Sequence, residues 1–168
     1  MLEDALSENL DNAGSTGVYP YASGLTFHVD ASAKKGDRIS NLKVNSQMAS
    51  KFTPLVLSKT YTVVSVNYIT GGGDGYHTFK KITKRVNLHA EYAESFANYA
   101  RHVGTIVSPP VSEFSTQRYV DASGCDHSVY KTEDACKNRD KTQEISLAHG
   151  TMKLSLLYYS GFVFFLFI

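Results

Sequence analysis

Residues 60–76, Thr-Tyr-Thr-Val-Val-Ser-Val-Asn-Tyr-Ile-Thr-Gly-Gly-Gly-Asp-Gly-Tyr, constrain this chain more than any other stretch. Thr60 to Val66 is dense in β-branched residues, which predicts a well-buried strand over 60–67. Gly71, Gly72, Gly73 and Gly75 follow at once. They allow positive φ and close approach of the backbone to a ligand. Asp74 stands among them as a fixed hydrogen-bond acceptor, and Tyr68 stands at the strand exit, where its ring can face whatever enters. This is the pattern of a recognition loop for a flat, hydroxylated ligand such as a nucleoside. The plainer reading, a flexible turn, is the commoner outcome for a glycine run after a strand. Phosphate-loop chemistry is not supported. There is no Gly-Lys-Ser/Thr ending and no Gly-x-Gly-x-x-Gly opening a helix.

A chain of 168 residues is long enough to bury one core and is read as one compact domain. A net charge of +1 gives no bulk attraction to a nucleic-acid polymer or an anionic membrane. Cys125 and Cys136 lie in a polar segment. A disulfide between them is the favoured expectation for an oxidising compartment, with two free thiols as the alternative. A zinc site is the weakest choice, because no second closely spaced Cys or His pair accompanies them.

Residues 2–12 read as a short acidic helix with Leu2, Leu6 and Leu10 on one face. Leu25 to Asp30 alternates apolar and polar, and Arg38 to Val44 reads as a second strand across a Lys-Lys-Gly-Asp turn. His89 to His102 is the clearest helix. Tyr92, Phe96, Tyr99 and Val103 repeat on one face, and this stripe is expected to pack in the core. The fold class is α/β (α+β), a small mixed sheet with packed helices. Pro109-Pro110 closes the compact part, so the expected organisation is a domain over 1–107, a polar stalk over 108–150 and an apolar tail over 151–168.

Leu154 to Ile168 is free of charge but falls short of the roughly twenty residues of a spanning helix. A cleaved signal for a glycosylphosphatidylinositol anchor fits it, with Ser146 as the attachment candidate and Ala148 with Gly150 as a second small-residue position. A short membrane helix and a buried helix stay open. The acidic start, Leu2 to Glu8, does not read as a signal peptide. An exit-type tail without such a signal leads us to expect the back part of a longer protein.

Three blocks carry a resemblance: Gly17-Val-Tyr-Pro-Tyr-Ala-Ser-Gly-Leu-Thr-Phe-His-Val-Asp30, Gly36 to Val44, and Lys59 through Gly-Gly-Asp-Gly-Tyr76. In order and spacing they resemble the C-terminal domain of the 5'-nucleotidase family, over roughly residues 2–107. The polar stalk and apolar tail are similar in layout to the membrane-anchored ecto-enzymes of that family. The resemblance implies a nucleoside 5'-monophosphate, or its nucleoside, as the bound partner, with a homodimer left open. It implies that Tyr68, where family members carry phenylalanine, stacks on the base. Asp74, in a loop with Gly72 and Gly73, would receive the ribose hydroxyls, and Gly17 would bring backbone near the substrate. The two divalent metal ions and their ligands would belong to an N-terminal domain that this chain lacks. No catalytic or metal-ligating residue is assigned here, since the six histidines are scattered away from acids at ligand spacing. A stand-alone, non-enzymatic cell-surface binding module and a remnant without function are the rival expectations.

Overall fold

The computed structural model describes residues 1–11, 18–45, 51–127 and 165–167. Helix α1 (Leu2–Asp11) opens the chain and is followed by β1 (Ala22–Ser23), β2 (Leu25–Asp30), β3 (Ile39–Val44) and β4 (Thr53–Pro54). Next come β5 (Val63–Val64), the one-turn helix α2 (Asn67–Thr70) and a 3-10 segment at His77–Lys81. Helix α3 (Tyr92–Val103), β6 (Thr116–Val120) and β7 (Phe165–Phe167) complete the described elements, with a 3-10 turn at Val111–Glu113 before β6. This is the α+β arrangement with a small mixed sheet that the sequence predicts.

The main sheet has four strands in the order β4-β3-β2-β6. β2 pairs antiparallel with β3 and parallel with β6, which makes the sheet mixed. Leu25, Phe27 and Val29 alternate along β2 and are buried together on one face. Leu2, Ala5 and Leu6 of α1 cover them, joined by Val44, Ile69, Tyr76 and Phe79. Each of these large side chains contributes about 1.5–3 kcal/mol by leaving water. Glu3 fixes the helix laterally, because its carboxylate accepts from the backbone N–H of Ile39 at 2.8 Å and of Gly36 at 3.2 Å.

Four expectations need correction. The predicted strand over 60–67 shrinks to Val63–Val64, since Asn67–Thr70 turns into helix. The folded unit does not stop at residue 107. β6, which is polar enough to read as stalk, pairs with β2 from Phe27↔Thr116 to Asp30↔Val120. Tyr19 and Thr116 seal this join with a hydroxyl–hydroxyl bond of 2.7 Å. The aromatic stripe of α3 is not in the core. Tyr92 is 72% exposed, and Phe96 and Tyr99 are 58% exposed. The physical reason is that α1, Ile69, Tyr76 and Phe79 already occupy the apolar side of the sheet.

The fourth correction concerns the tail. Phe165–Phe167 forms a strand between β1 and β5, parallel to the first and antiparallel to the second, so these three residues are not helical. The rest of the tail, with Ser146, Ala148 and Gly150, lies outside the described residues. Among the described residues, no helix is long and apolar enough to cross a membrane.

Candidate functional site

The glycine-rich turn is built on two buried anchors. Ile69 of α2 and Tyr76 just beyond the turn are 1% and 0% exposed, so both ends of 70–75 are pinned to the core. The Tyr76 hydroxyl donates to the carbonyl of Val18 at 3.3 Å, which ties the turn to the first sequence block. Burial lifts the Tyr76 phenol well above its ordinary range and keeps it a donor. Gly17 itself, next to Val18, lies outside the described residues.

Backbone bonds close the turn tightly. Gly71 N–H donates to Asn67 at 2.8 Å, Gly72 to Ile69 at 2.9 Å, Gly73 to Tyr68 at 3.0 Å and Tyr76 to Gly73 at 3.0 Å. Two of the four glycines use left-handed backbone, Gly72 at φ 89° and Gly75 at φ 76°. Gly73 is needed for a different reason. A β-carbon there would lie 2.5 Å from the ring of Tyr68, so only a bare backbone lets the ring settle against the turn. Gly72 is crowded likewise by the aliphatic stem of Lys80, 2.6 Å from where its β-carbon would be.

Tyr68 and Asp74 meet across this turn. The Tyr68 hydroxyl donates to Asp74 Oδ1 at 2.9 Å, while the ring stays 63% exposed. Asp74 holds φ at 48°, an uncommon setting for a residue with a side chain and one that recurs at functional sites. The bond to Asp74 raises the Tyr68 phenol above its ordinary value, helped by the negative charge of the carboxylate. The arrangement offers a flat ring, an adjacent carboxylate and open solvent beside both. Tyr68, Gly72, Gly73 and Asp74 are therefore brought together. The sequence does not reveal the Tyr68–Asp74 bond or the anchoring role of Tyr76. An aromatic directly after Gly-Asp-Gly was the available signal for the latter.

A second cluster lies at the end of β6. Asp121, Cys125 and His127 bring one ligand-type atom each within 4.8 Å of one another. Cys125 is disulfide-bonded, so its sulfur is not a free thiolate, and Cys136 lies outside the described residues. Asp121 Oδ1 is already engaged by the backbone N–H of Ser123 and of Cys125 and by the Ser123 hydroxyl. These residues make a tight turn, closed by Asp121 N–H to Cys125 O at 2.8 Å. They do not fit a two-metal hydrolytic centre.

The profile described as 5'-nucleotidase, C-terminal domain, matches residues 1–81, which include α1, β2, β3 and the whole Tyr68–Asp74 turn. Residues 1–81 therefore match the C-terminal domain of the 5'-nucleotidase family. The NAD 5'-nucleotidase of Haemophilus influenzae is 31% identical over 107 residues, covering 60% of this chain and 18% of that protein. A snake venom 5'-nucleotidase of Macrovipera lebetinus is 33% identical over 82 residues, 47% of this chain and 20% of that protein. Human 5'-nucleotidase is 30% identical over 82 residues, 47% of this chain and 14% of that protein. No solved structure matches the chain. The chain thus spans a fifth or less of the length of these relatives.

Proposed function

We propose that this chain is the nucleoside-recognising end of a 5'-nucleotidase-type hydrolase, which removes phosphate from a nucleoside 5'-monophosphate. One observation carries the reading. An exposed aromatic ring lies against a glycine turn with a carboxylate held at its edge. On this reading the outer face of Tyr68 stacks on the base, and Asp74 accepts from the ribose hydroxyls through charge-assisted bonds. Gly72 and Gly73 keep side chains out of the ligand's way, and backbone at Gly17 approaches the substrate.

Cleavage of the phosphate ester is assigned to a metal-bearing domain outside this chain, holding two divalent ions. We further propose an extracellular location, at the cell surface, with the protein held to the membrane by its apolar tail or by a glycosylphosphatidylinositol anchor at Ser146. Release of the protein from cells by a phosphatidylinositol-specific phospholipase checks the anchor, and full retention after treatment counts against it.

Calorimetric titration of the full chain with adenosine and adenosine 5'-monophosphate tests the central reading. Base stacking on an aromatic is worth about 1–3 kcal/mol. Tyr68→Ala is therefore expected to weaken binding by about fivefold to 150-fold. Asp74→Asn is expected to weaken it as well, by loss of the charged acceptor. Unchanged affinity in both variants would sink the proposal.

A further inference from the structure

β1 and β5 are joined into a sheet by one strand. β7 lies between them, and among the described residues neither has another strand as its partner. Lifting β7 out would leave a gap of two strand spacings, about 10 Å, with open backbone along both sides. We propose that this gap is a strand-accepting site for an extended apolar peptide segment, and that Phe165–Phe167 is its replaceable occupant.

Three observations carry it. The occupant is gripped through its backbone from both sides, since Leu166 stands opposite Ser23 on β1 and Val64 on β5. Main-chain pairing of this kind recognises an extended strand and leaves its side chains loosely specified. The walls set the one chemical demand: Ala22, Val63 and Val66 pack against the hydrophobic core, so an apolar segment fits between them and a charged one does not. Second, one wall is longer than its occupant. Thr60–Val66 is dense in β-branched residues suited to a strand, yet only Val63 and Val64 are paired. Third, a polar group stands unserved just past the paired stretch. Ser65 follows Val64, and its Oγ is buried with no hydrogen-bond partner among the described residues. Pairing that continued along β5 in the same register would bring donors and acceptors of the incoming strand to it.

The occupant is also easy to exchange. It has two paired positions on each side, and it is tied to the rest of the fold through residues 128–164. A strand held by a long tether competes for its own slot at an effective concentration on the order of millimolar. A free segment that pairs along more of Thr60–Val66 gains contacts that Phe165–Phe167 does not make. The role belongs to the walls, so it is independent of nucleoside recognition and of what the tail does at a membrane.

The test uses the full chain, as wild type and as Leu166→Pro, with a fluorescent peptide of residues 160–168 carrying added lysines for solubility. Proline at the middle of the strand removes a backbone N–H and is not tolerated between two partners, so the slot is vacated while both walls stay native. The peptide is expected to bind Leu166→Pro at least about tenfold more tightly than wild type, because the tethered competitor is gone. The same peptide with proline in place of Leu166 should bind neither form. Amide exchange at Ala22, Ser23, Val63 and Val64 should quicken in Leu166→Pro and slow again when the peptide is added, which reads the slot directly. A second variant, Leu166→Asp, expels the strand by its charge instead and is expected to behave alike. Equal affinity for wild type and both variants would overturn the inference, as would binding of the proline peptide, since attachment would then be to apolar surface elsewhere. Failure of both variants to bind the peptide, or binding without renewed protection of β1 and β5, would overturn it too.

Discussion

Two aspartates in this domain sit in tight turns that contain glycine, and their surroundings differ completely. Asp121 Oδ1 accepts from Ser123 N–H at 2.8 Å, from the Ser123 hydroxyl at 2.6 Å and from Cys125 N–H at 2.9 Å. Its other oxygen lies 2.8 Å from His127 Nε2. Burial alone would push this carboxyl up, but these bonds together hold it far below the usual carboxylate range. Among the described residues, the Asp74 carboxylate is met by the Tyr68 phenol, on a backbone with φ 48°. An acid saturated by its own turn is a structural fastener. One with a single internal donor is, on the proposed reading, placed to meet a ligand. The count of internal donors separates the two acids, and residue type does not.

The largest effect that would break this contrast concerns the floor of the Asp74 turn. Tyr76 is fully buried and carries the turn. Tyr76→Ala should cost about 3–5 kcal/mol, as other large aromatic truncations do. Tyr76→Phe, which loses the bond to Val18, should cost about 1 kcal/mol. Urea unfolding of both variants checks this. A Tyr76→Ala protein as stable as wild type would mean that the turn is not held from the core at all.

A smaller effect compares the two acids directly. Asp121→Ala removes the acceptor for three donors on Oδ1 and the contact of Oδ2 with His127, and is expected to destabilise by about 1 kcal/mol, the low end for a partly exposed site. Asp74→Ala should stay within about 0.5 kcal/mol of wild type, since it removes one exposed contact. The pH dependence has a definite sign. The folded carboxyl of Asp121 is held below the ordinary value of 3.8. Its contribution is full above that value and is lost as the pH falls through the depressed one. The stability gap between wild type and Asp121→Ala should therefore narrow in strong acid. A larger loss in Asp74→Ala than in Asp121→Ala would reverse the assignment of roles.

Parts of this arrangement are legible in the sequence. Apolar spacing locates α1, and alternation locates β2 with its buried Leu25, Phe27 and Val29. The polar strand β6 is not legible, because Thr-Gln-Arg-Tyr-Val carries no strong period and its partner β2 lies about ninety residues earlier. The stripe on α3 shows how far periodicity goes. It correctly announces a helix with an apolar face, and it says nothing about whether a neighbour has room for that face. In the site, the need for glycine at 72 and 75 follows from turn chemistry. The need at 73 comes from the ring of Tyr68 folding back five residues, a contact that no local pattern encodes.

The smallest and sharpest expectation concerns the titration of Tyr68. Its phenol is raised because it donates to the Asp74 carboxylate, whose charge also opposes formation of a phenolate. The bond is therefore complete below the ordinary tyrosine value of 10.0 and is lost as the pH rises through the raised one. The chain has 11 tyrosines, so the difference between wild-type and Tyr68→Phe absorbance titrations isolates this one. Asp74→Asn keeps an acceptor but removes the charge, and should move the Tyr68 titration back toward its ordinary value. An identical titration in Asp74→Asn would show that the carboxylate does not hold the phenol, and the contrast between a satisfied and an available aspartate would lose its basis.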